Sequence, residues 1–480
     1  MSLDVEVIPP PSDADYTEAA EVVETASTAI EAFERTLGRQ ESPTEDIEVL
    51  QGELVDPDRY FGKQGLLHAS LRSDVVDIGP VATGPGHTLW HYSHGVWLPH
   101  GEHEIRRRCR PLLGERWRRA HVEGIVTDLA ANKPFITDRQ PTQWINTASG
   151  LLDWRTGELS DHRPDVASTY QLDCRWNPDA TCPTVDAWLA EVAPADAIDL
   201  IWEVFGTAIY GDQPFHRAVM LYGPGRNGKS TLLRLIARLI GQAHISSVTL
   251  QSLGESRFAS AELFGKVANI AGDLDARSIG RTDVFKQAVG ADAITAERKH
   301  GQPFTFTNRA TMIFAANELP GSADLTEGFF SKWVVVPFTG LQIAPGAEDT
   351  TLEGRLHAEI EGVLVRAVKG LQRAMHRGCY DRPASVTAAT ESYQVNADPL
   401  RRFMDDELDI TGNAVDEMPR SAVYLRYKAW CEDNGAKPLG ANRFWPRLVG
   451  ASQDRIDPDA KTVRGDRYCS GLNFTAGAGL

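Results

Sequence analysis

Apolar residues recur along the chain with periods that predict both helices and strands. Seven apolar residues between positions 19 and 37 recur at helical spacing, which predicts an amphipathic helix. Short apolar runs at 88–92, 95–98 and 218–222 are typical of strands. A helical pattern over 185–210 leads into the run at 218–222, and a glycine-rich loop follows that run. The sequence therefore predicts a strand, a loop and a helix in succession.

The rest of the chain is expected to be α/β and then helical. Short apolar runs alternate with helical segments up to residue 338, as in an α/β nucleotide-binding domain. A long helix is expected over 352–375. Helical patterns around 424–431 and 442–448, followed by a hairpin near 462–473, suggest a winged-helix-like unit. The predicted domains are an acidic leader (1–58), a mixed α+β N-terminal domain (59–184), a P-loop domain with leading helices (185–345), a helical connector (346–397) and a C-terminal DNA-binding domain (398–480). The C-terminal domain offers four cations for contact with duplex or origin DNA, and solvation of a helix face is the alternative: Lys428, Arg443, Arg447 and Arg467.

Composition and charge are those of a globular cytoplasmic protein. No run reaches the roughly 18 apolar residues that span a bilayer, and the start is acidic, unlike a signal peptide. The six cysteines form no CxxC pair, so reduced thiols are expected rather than a zinc site. Residues 1–58 hold 16 Asp or Glu and 2 Arg and contribute −14 of the net charge of −17. Because the remainder is nearly neutral, basic patches there remain able to face nucleic acid.

The glycine-rich loop at residues 223–230 reads Gly-Pro-Gly-Arg-Asn-Gly-Lys-Ser and fits the P-loop pattern G-x-x-x-x-G-K-[ST]. Glycines allow backbone N–H groups to converge on phosphate, Lys229 reaches the β and γ phosphates, and Ser230 is a Mg²⁺ ligand. ATP and Mg²⁺ are therefore the expected cofactors. The expected nucleotide-binding residues are Gly223, Gly225, Asn227, Gly228, Lys229, Ser230 and Thr231.

Two acids follow the apolar run that begins at Lys266. Asp273 and Asp275 are two residues apart, so they point to the same side if the strand continues. We assign metal binding to Asp273 and activation of the attacking water to Asp275, and the two roles are exchangeable. Acids that only solvate a strand end are the alternative.

A third apolar run begins at Thr311 and ends at Asn317. An amide at that position is able to hydrogen-bond both the γ-phosphate and water, which predicts a sensor role for Asn317. A simple strand-end cap is the alternative interpretation. Asn317 follows the P-loop and the acidic strand along the chain, and this order favours the sensor role.

Between the acidic and sensor runs, two β-favouring stretches flank a basic tip. The tip carries Arg298, Lys299 and His300, and cations there are suited to holding a DNA backbone. A solvated turn is the alternative. The Arg-rich segment over 105–121 is a second candidate DNA surface, although arginines also commonly pair with acids on helix faces.

These pieces in this order resemble the superfamily 3 helicases, and more narrowly the phage and plasmid primase-helicase family related to poxvirus primase-helicases. Further similarity lies upstream at 95–97, 146–159 and 175–183, and downstream at 327–338. The resemblance implies an AAA+-related ring, usually a hexamer, with ATP between subunits and the basic hairpin on single-stranded DNA.

The resemblance also implies a trans-acting finger. Family members commonly carry an arginine just before the aromatic residue at position 333, where this chain has Lys332. A lysine lacks the planar fork of arginine, so the finger role is open between Lys332, Arg309 and another arginine. No primase domain is recognised before the P-loop, and we expect a helicase without priming activity.

The sequence thus predicts an ATP-dependent DNA helicase of phage or plasmid replication, acting as a homo-oligomeric ring on single-stranded DNA and forked duplex. A separate primase or polymerase is a further expected partner. The alternatives are a replication initiator or loader, and a DNA-binding scaffold without sustained unwinding.

Overall fold

The computed structural model describes residues 56–475, apart from 275–278, 280, 300–301, 323, 325, 341, 345, 348 and 464–465. The predicted acidic leader and its helix over 19–37 lie outside the described residues. No helix among the residues that are described is both long and apolar enough to cross a membrane.

The first layer of the fold combines small antiparallel sheets with three helices. Apolar residues of the helices, with Tyr60 and Leu89, form one compact core. Its elements are β1 (Phe61–Gly62), β2 (Gly65–Leu66), α1 (His68–Ile78), β3 (Val81–Thr83), β4 (Leu89–Ser93), β5 (Val96–Leu98), α2 (Gly101–Leu113) and α3 (Arg119–Ala130).

A second small sheet shares a hydrophobic core with the helices that follow it, and Asn146 of this sheet donates to the backbone oxygen of Gly95 in the first layer at 2.9 Å. Ile145 and Leu152 of this sheet share a core with Leu189 and Phe205 of those helices. The hydrophobic core is therefore continuous across residue 184, where the sequence predicted a domain boundary. The elements are β6 (Trp144–Thr147), β7 (Gly150–Asp153), β8 (Leu159–Ser160), α4 (Pro183–Val192) and α5 (Ile198–Tyr210).

The central element is a five-stranded parallel sheet. Its strands are almost wholly apolar and buried, because helices cover both faces. In space the order is β10, β11, β14, β9, β15, so the strand before the P-loop lies between the sensor strand and the last strand. The elements are β9 (Ala218–Tyr222), α6 (Lys229–Ile240), β10 (Ile245–Ser246), α7 (Leu250–Glu255), β11 (Ala268–Ala271), α8 (Asp283–Gly290), β12 (Ala293–Glu297), β13 (Pro303–Thr307), β14 (Thr311–Ala316), α9 (Glu327–Phe330) and β15 (Trp333–Pro337).

Three helices connect the sheet to a C-terminal unit with its own core of buried aromatic residues. In that unit a three-stranded antiparallel sheet has the order β17, β19, β18. The elements are α10 (Leu352–Ala358), α11 (Ile360–Arg377), α12 (Ala384–Asn396), α13 (Pro399–Glu407), β16 (Leu408–Asp409), β17 (Glu417–Pro419), α14 (Arg420–Asp433), α15 (Ala441–Ala451), β18 (Asp457–Val463), β19 (Asp466–Ser470) and β20 (Asn473–Phe474).

Helices α5 and α11 approach each other closely because both carry glycine at the contact. A Cβ atom added to Gly370 would lie 2.2 Å from the backbone oxygen of Trp202. A Cβ atom on Gly206 would lie 2.5 Å from the backbone oxygen of Ala367. The partner atoms are backbone, so they cannot move aside as a flexible side chain would. This contact fixes the helical layer that supports one face of the parallel sheet.

We expect Gly370→Ala to push α5 and α11 apart and to lower the free energy of unfolding by about 1–3 kcal/mol, as overpacking of a core does. Urea unfolding followed by tryptophan fluorescence measures this change. Gly354→Ala is the matched control, because Gly354 lies in α10 with open space around its Cβ position. The control should be neutral or stabilising by up to about 1 kcal/mol. Equal midpoints for the two variants would contradict the close approach.

Candidate nucleotide site at the carboxyl edge of the sheet

The loop between β9 and α6 has a backbone that only glycine tolerates at two points. Gly223 has φ +154° and Gly228 has φ +90°, both in the region that disfavours a Cβ atom. A Cβ atom on Gly223 would also lie 2.3 Å from the carbonyl oxygen of Phe338, directly after β15. The loop therefore folds tightly over the end of the sheet, between a buried strand and the start of a helix. This is the structural setting that a P-loop requires.

Lys229 begins α6 and its ammonium group turns back into the loop. Its Nζ donates to the carbonyl oxygens of Gly223 at 2.6 Å and Pro224 at 3.1 Å, and to Asn227 Oδ1 at 2.9 Å. The residue is only 6% exposed. Burial lowers the pKa of Lys229, and the nearby carboxylate of Asp273 opposes that shift. A cation held this closely by neutral oxygens is well placed to exchange them for phosphate oxygens.

Asn227 joins the loop to the last strand of the sheet. Its Nδ2 donates to the carbonyl oxygen of Phe338 at 2.8 Å, while its Oδ1 accepts from Lys229. The side chain is 2% exposed, so both bonds are shielded from water. The sequence predicted that Asn227 contacts the nucleotide. In the structure Asn227 also links the P-loop to the residue after β15, a role that the sequence did not predict.

The acidic strand and the sensor strand end beside the P-loop. β14 pairs in parallel with both β9 and β11, with Ala316 opposite Tyr222 and Ala271 opposite Phe314. Asn317 therefore lies next to the loop, and its Oδ1 accepts from Lys229 Nζ at 3.1 Å. Asp273 is exposed two residues beyond β11 and acts electrostatically on Lys229. Three of the residues predicted to be catalytic are thus brought together by the register of three strands.

Oxygen donors at this edge fit a small hard cation. Ser230 is exposed in the first turn of α6, and Asp273 is exposed at the end of the acidic strand. Mg²⁺ prefers hydroxyl, carboxylate and phosphate oxygens and usually takes only one or two ligands from the protein. Within the described residues, no group of three or more His, Cys, Asp or Glu side chains is arranged to hold a metal on its own. Asp275, the predicted water-activating residue, lies outside the described residues.

Lys332 lies at the opposite edge of the sheet. It directly precedes β15, and its backbone oxygen accepts from the amide of Ala218, the first residue of β9. A five-residue strand at about 3.3 Å per residue separates this edge from the P-loop by roughly 16 Å, beyond the reach of a lysine side chain. Lys332 is therefore not part of the nucleotide site of its own chain.

Other cations lie near Lys332. Arg217 donates to the carbonyl oxygen of Ser331, and burial together with the charge of Arg382 lowers the pKa of Arg217. Arg309, the alternative finger residue, instead pairs with Asp212 at 3.0 Å and its side chain is only 15% exposed. The order of residues along the sequence did not indicate Arg217, because its proximity to Lys332 arises from the pairing of β9 with β15.

The predicted basic hairpin is formed by β12 and β13. Ile294 and Phe306 are buried at its base, where Phe264 packs edge-on against Phe306 at 5.5 Å. Lys299 is exposed at the tip, beyond the last pair of the ladder. Arg298 is also exposed and its guanidinium lies over the ring of Phe304 at 5.5 Å. His300 lies outside the described residues.

Five of the seven arginines in the Arg-rich segment pair with acids of their own layer. Arg107 and Arg108 both bond to Glu104, and although burial raises the pKa of Glu104, these two bonds lower it to about 2. Arg108 is buried and also donates to the backbone oxygen of Gly79. The remaining arginines pair with acids, lie over an aromatic ring or donate to backbone oxygens: Arg106, Arg110, Arg116, Arg118 and Arg119. These contacts favour a structural role over DNA binding.

Three regions of the chain match models of protein families. The model described as D5 N terminal like matches residues 80–194, and the model described as Poxvirus D5 protein-like matches residues 396–451. A family of unknown function, DUF5906, matches residues 221–327, which include the P-loop and the hairpin.

The chain is also similar to a named viral protein and to proteins of known structure. A putative helicase, L207/L206 of Acanthamoeba polyphaga mimivirus, is 22% identical over 336 residues, which are 64% of this chain. This chain spans 35% of the length of that relative. Two apo structures of the NrS-1 C-terminal region have a TM-score of 0.44, with 13% and 12% identity, and each comparison covers 81% of this chain and 86% of the other. The predicted resemblance to the phage and viral primase-helicases is confirmed by the two D5-type family models and the mimivirus relative.

We expect Asn227→Ala to weaken binding of a nucleoside triphosphate about tenfold, because it leaves the carbonyl of Phe338 and the ammonium of Lys229 each short of a buried partner. Titration with a fluorescent ATP analogue measures the affinity. Gln342→Ala is the control, since Gln342 is exposed and makes only a 3.4 Å contact with the loop carbonyl of Gly225. Unchanged affinity in a folded Asn227→Ala protein would show that the two hydrogen bonds of Asn227 are not needed for nucleotide binding.

Proposed function

We propose that this chain, a relative of the phage and viral primase-helicases, is an ATP-dependent DNA helicase of phage or plasmid replication. The bond between Lys229 Nζ and Asn317 Oδ1, at 3.1 Å, is the observation that supports this most directly. It joins a phosphate-binding loop to a polar sensor that lies 88 residues further along the chain. A glycine-rich turn without nucleotide chemistry needs no such partner.

In the proposed reaction, the backbone N–H groups of residues 223–230 and the ammonium of Lys229 hold the phosphates of ATP. Ser230 and Asp273 would hold Mg²⁺, which neutralises charge on the phosphate oxygens when it is bound. Asn317 orients the terminal phosphate and the attacking water through its amide. Asp275 is assigned to activation of that water, and this role stays a prediction from the sequence. The proposed turnover converts ATP to ADP and phosphate.

The order of strands supports an AAA+-like motor. The sensor strand β14 lies between the P-loop strand β9 and the acidic strand β11, so all three carboxyl ends face one site. Similarly, the order β17, β19, β18, with α14 and α15 before β18, supports a winged-helix-like C-terminal unit that binds DNA. Both assignments extend the coarser observation of a mixed α/β protein with a parallel sheet.

The cations at the amino edge of the sheet support assembly into a ring. Lys332, with Arg217 and Arg382 near it, lies too far from its own P-loop to act there. A neighbouring copy of the chain would bring this edge to a second nucleotide site. We therefore assign the trans-acting role to Lys332 within a homo-oligomer, usually a hexamer in this family, with Arg217, which bonds to the backbone oxygen of the adjacent Ser331, as an arginine able to assist. In such a ring the hairpin tips carrying Arg298, Lys299 and His300 meet single-stranded DNA.

The hairpin provides the experiment, because it separates a helicase from an ATP-dependent initiator, loader or scaffold. Lys299→Ala combined with His300→Ala should abolish strand displacement on a forked duplex and weaken single-strand binding. The reason is that phosphate contacts on DNA depend on the basic residues at the hairpin tip, whereas the nucleotide site lies at the sheet edge. The rate of ATP hydrolysis without DNA, measured on the same protein, shows whether the nucleotide site is intact.

Lys369→Ala is the control for the loss of a surface cation, since Lys369 is exposed on α11 outside the hairpin. It should leave strand displacement unchanged. If the hairpin variant still unwinds the fork at the normal rate, the hairpin does not move DNA. If the unaltered protein hydrolyses ATP and binds DNA but displaces no strand, the initiator or scaffold alternative replaces the helicase.

A further inference from the structure

Five cations of the C-terminal unit pair with carboxylates. On the side of the strands, Lys461 pairs with Glu417, and Arg467 approaches Asp459 at 3.7 Å. Arg447 pairs with Asp398 at 2.6 Å, below the first turn of α13. Two more arginines have carboxylate partners in the same way: Arg420 with Asp459 and Arg426 with Glu407. These residues are therefore poorly suited to hold DNA phosphates.

Three further cations lie where α14 and α15 meet, and we call them the basic corner: Lys428, Lys437 and Arg443. None of the three has a carboxylate partner within the described part of the chain. Lys428 Nζ lies 5.4 Å from the ring of Tyr424, and the hydroxyl of Tyr424 donates to the backbone oxygen of Leu439 at 2.8 Å. The corner is thus built around the loop that connects the two helices.

A cleft opens beside the basic corner. Its volume is about 740 Å³, and its lining includes Lys437, Arg443 and the ion pair of Arg447 with Asp398 on the C-terminal side, and Ser322 on the side of the ATPase sheet. Helix α15 begins in this cleft at Ala441 and carries no acidic residue in its first turn. The positive end of the helix dipole therefore adds to the field of the two cations. A phosphate group is the chemistry that this combination fits.

The exposed surface of α15 favours duplex DNA over a single strand. Asn442 and Arg443 are exposed at its amino-terminal turn, while Phe444 and Trp445 are buried. An α-helix that presents polar residues at this turn fits the major groove of a duplex. Surfaces for single strands instead expose aromatic rings on which bases stack. The large exposed hydrophobic residues described in this unit are Val415, Leu425 and Val463, and none of them is aromatic.

The geometry points to the basic corner as a docking surface for the phosphate backbone of duplex DNA, with α15 directed at the groove and the neutralised strand side turned away. This inference rests on the proposed function, because it takes DNA as the substrate of the motor. It adds that the C-terminal unit holds the duplex ahead of the strand that the hairpins engage. The residues that contact the duplex lie in the connection between α14 and α15 and in the adjoining cleft.

The test measures duplex affinity against salt for the full-length chain. For B-DNA, log K falls against log salt with a slope of about −0.9 per phosphate contact, so Lys437→Gln with Arg443→Gln should make the slope shallower by about 1.8. Adding Lys428→Gln should make it shallower by roughly 0.9 more. Lys461→Gln with Arg467→Gln is the matched control, since it removes two cations from the neutralised side of the same unit. The control should keep the original slope.

Binding of a short oligothymidine, measured on the same proteins, separates this inference from the proposed function. The expected result is a weaker duplex complex for the corner variants and unchanged single-strand binding. An unchanged duplex slope would overturn the inference, as would a change seen only with the single strand or an equal change in the control. If the unaltered protein hydrolyses no ATP or displaces no strand, the proposed function is overturned, whatever the salt slope of duplex binding.

Discussion

The alignment of three parallel strand ends is the constraint on which the rest of the structure depends. Because β9, β11 and β14 run in one direction and in register, the P-loop, Asp273 and Asn317 meet at one edge. Lys229 lies at their centre, bonded to the loop and to Asn317. The same parallel arrangement places Lys332 at the far edge, which makes a second copy necessary for any role of that residue at a nucleotide.

Packing contacts and hydrogen bonds connect the sheet to the segments that meet DNA in our proposal. Helix α8 precedes the hairpin, and its Phe285 stacks on Trp333 of β15 at 4.6 Å. Lys286 and Thr282 both donate to Asp324, which follows the sensor strand in the chain. These bonds lower the pKa of Asp324 against the effect of its burial, so the carboxylate stays charged. The helix that leads into the hairpin is thus held against both the last strand and the segment after the sensor.

Much of this site could be predicted from local sequence, because a P-loop and strand-end polar residues have short-range signatures. Helix ends that are set by tertiary contacts could not be predicted from local sequence. The single helix expected over 185–210 is two helices, and here a local signal, Pro194 after the end of α4, was overlooked. The helix expected over 352–375 is broken at Glu359, whose carboxylate accepts from the amides of Thr184 and Val185 at the start of α4. The pairing of acids with the Arg-rich segment likewise depends on how three helices pack.

The central claim, that these strand ends form a centre for ATP hydrolysis, is tested most directly by Asp273→Asn. This change keeps the volume of the side chain and removes the charge proposed to hold Mg²⁺. We predict that the variant still binds an ATP analogue but hydrolyses ATP at least about 100-fold more slowly, a loss typical for removal of one electrostatic group from an active site. Asp161→Asn, at an exposed acid remote in sequence from the site, should hydrolyse normally. Hydrolysis by folded Asp273→Asn at the unaltered rate would contradict the account.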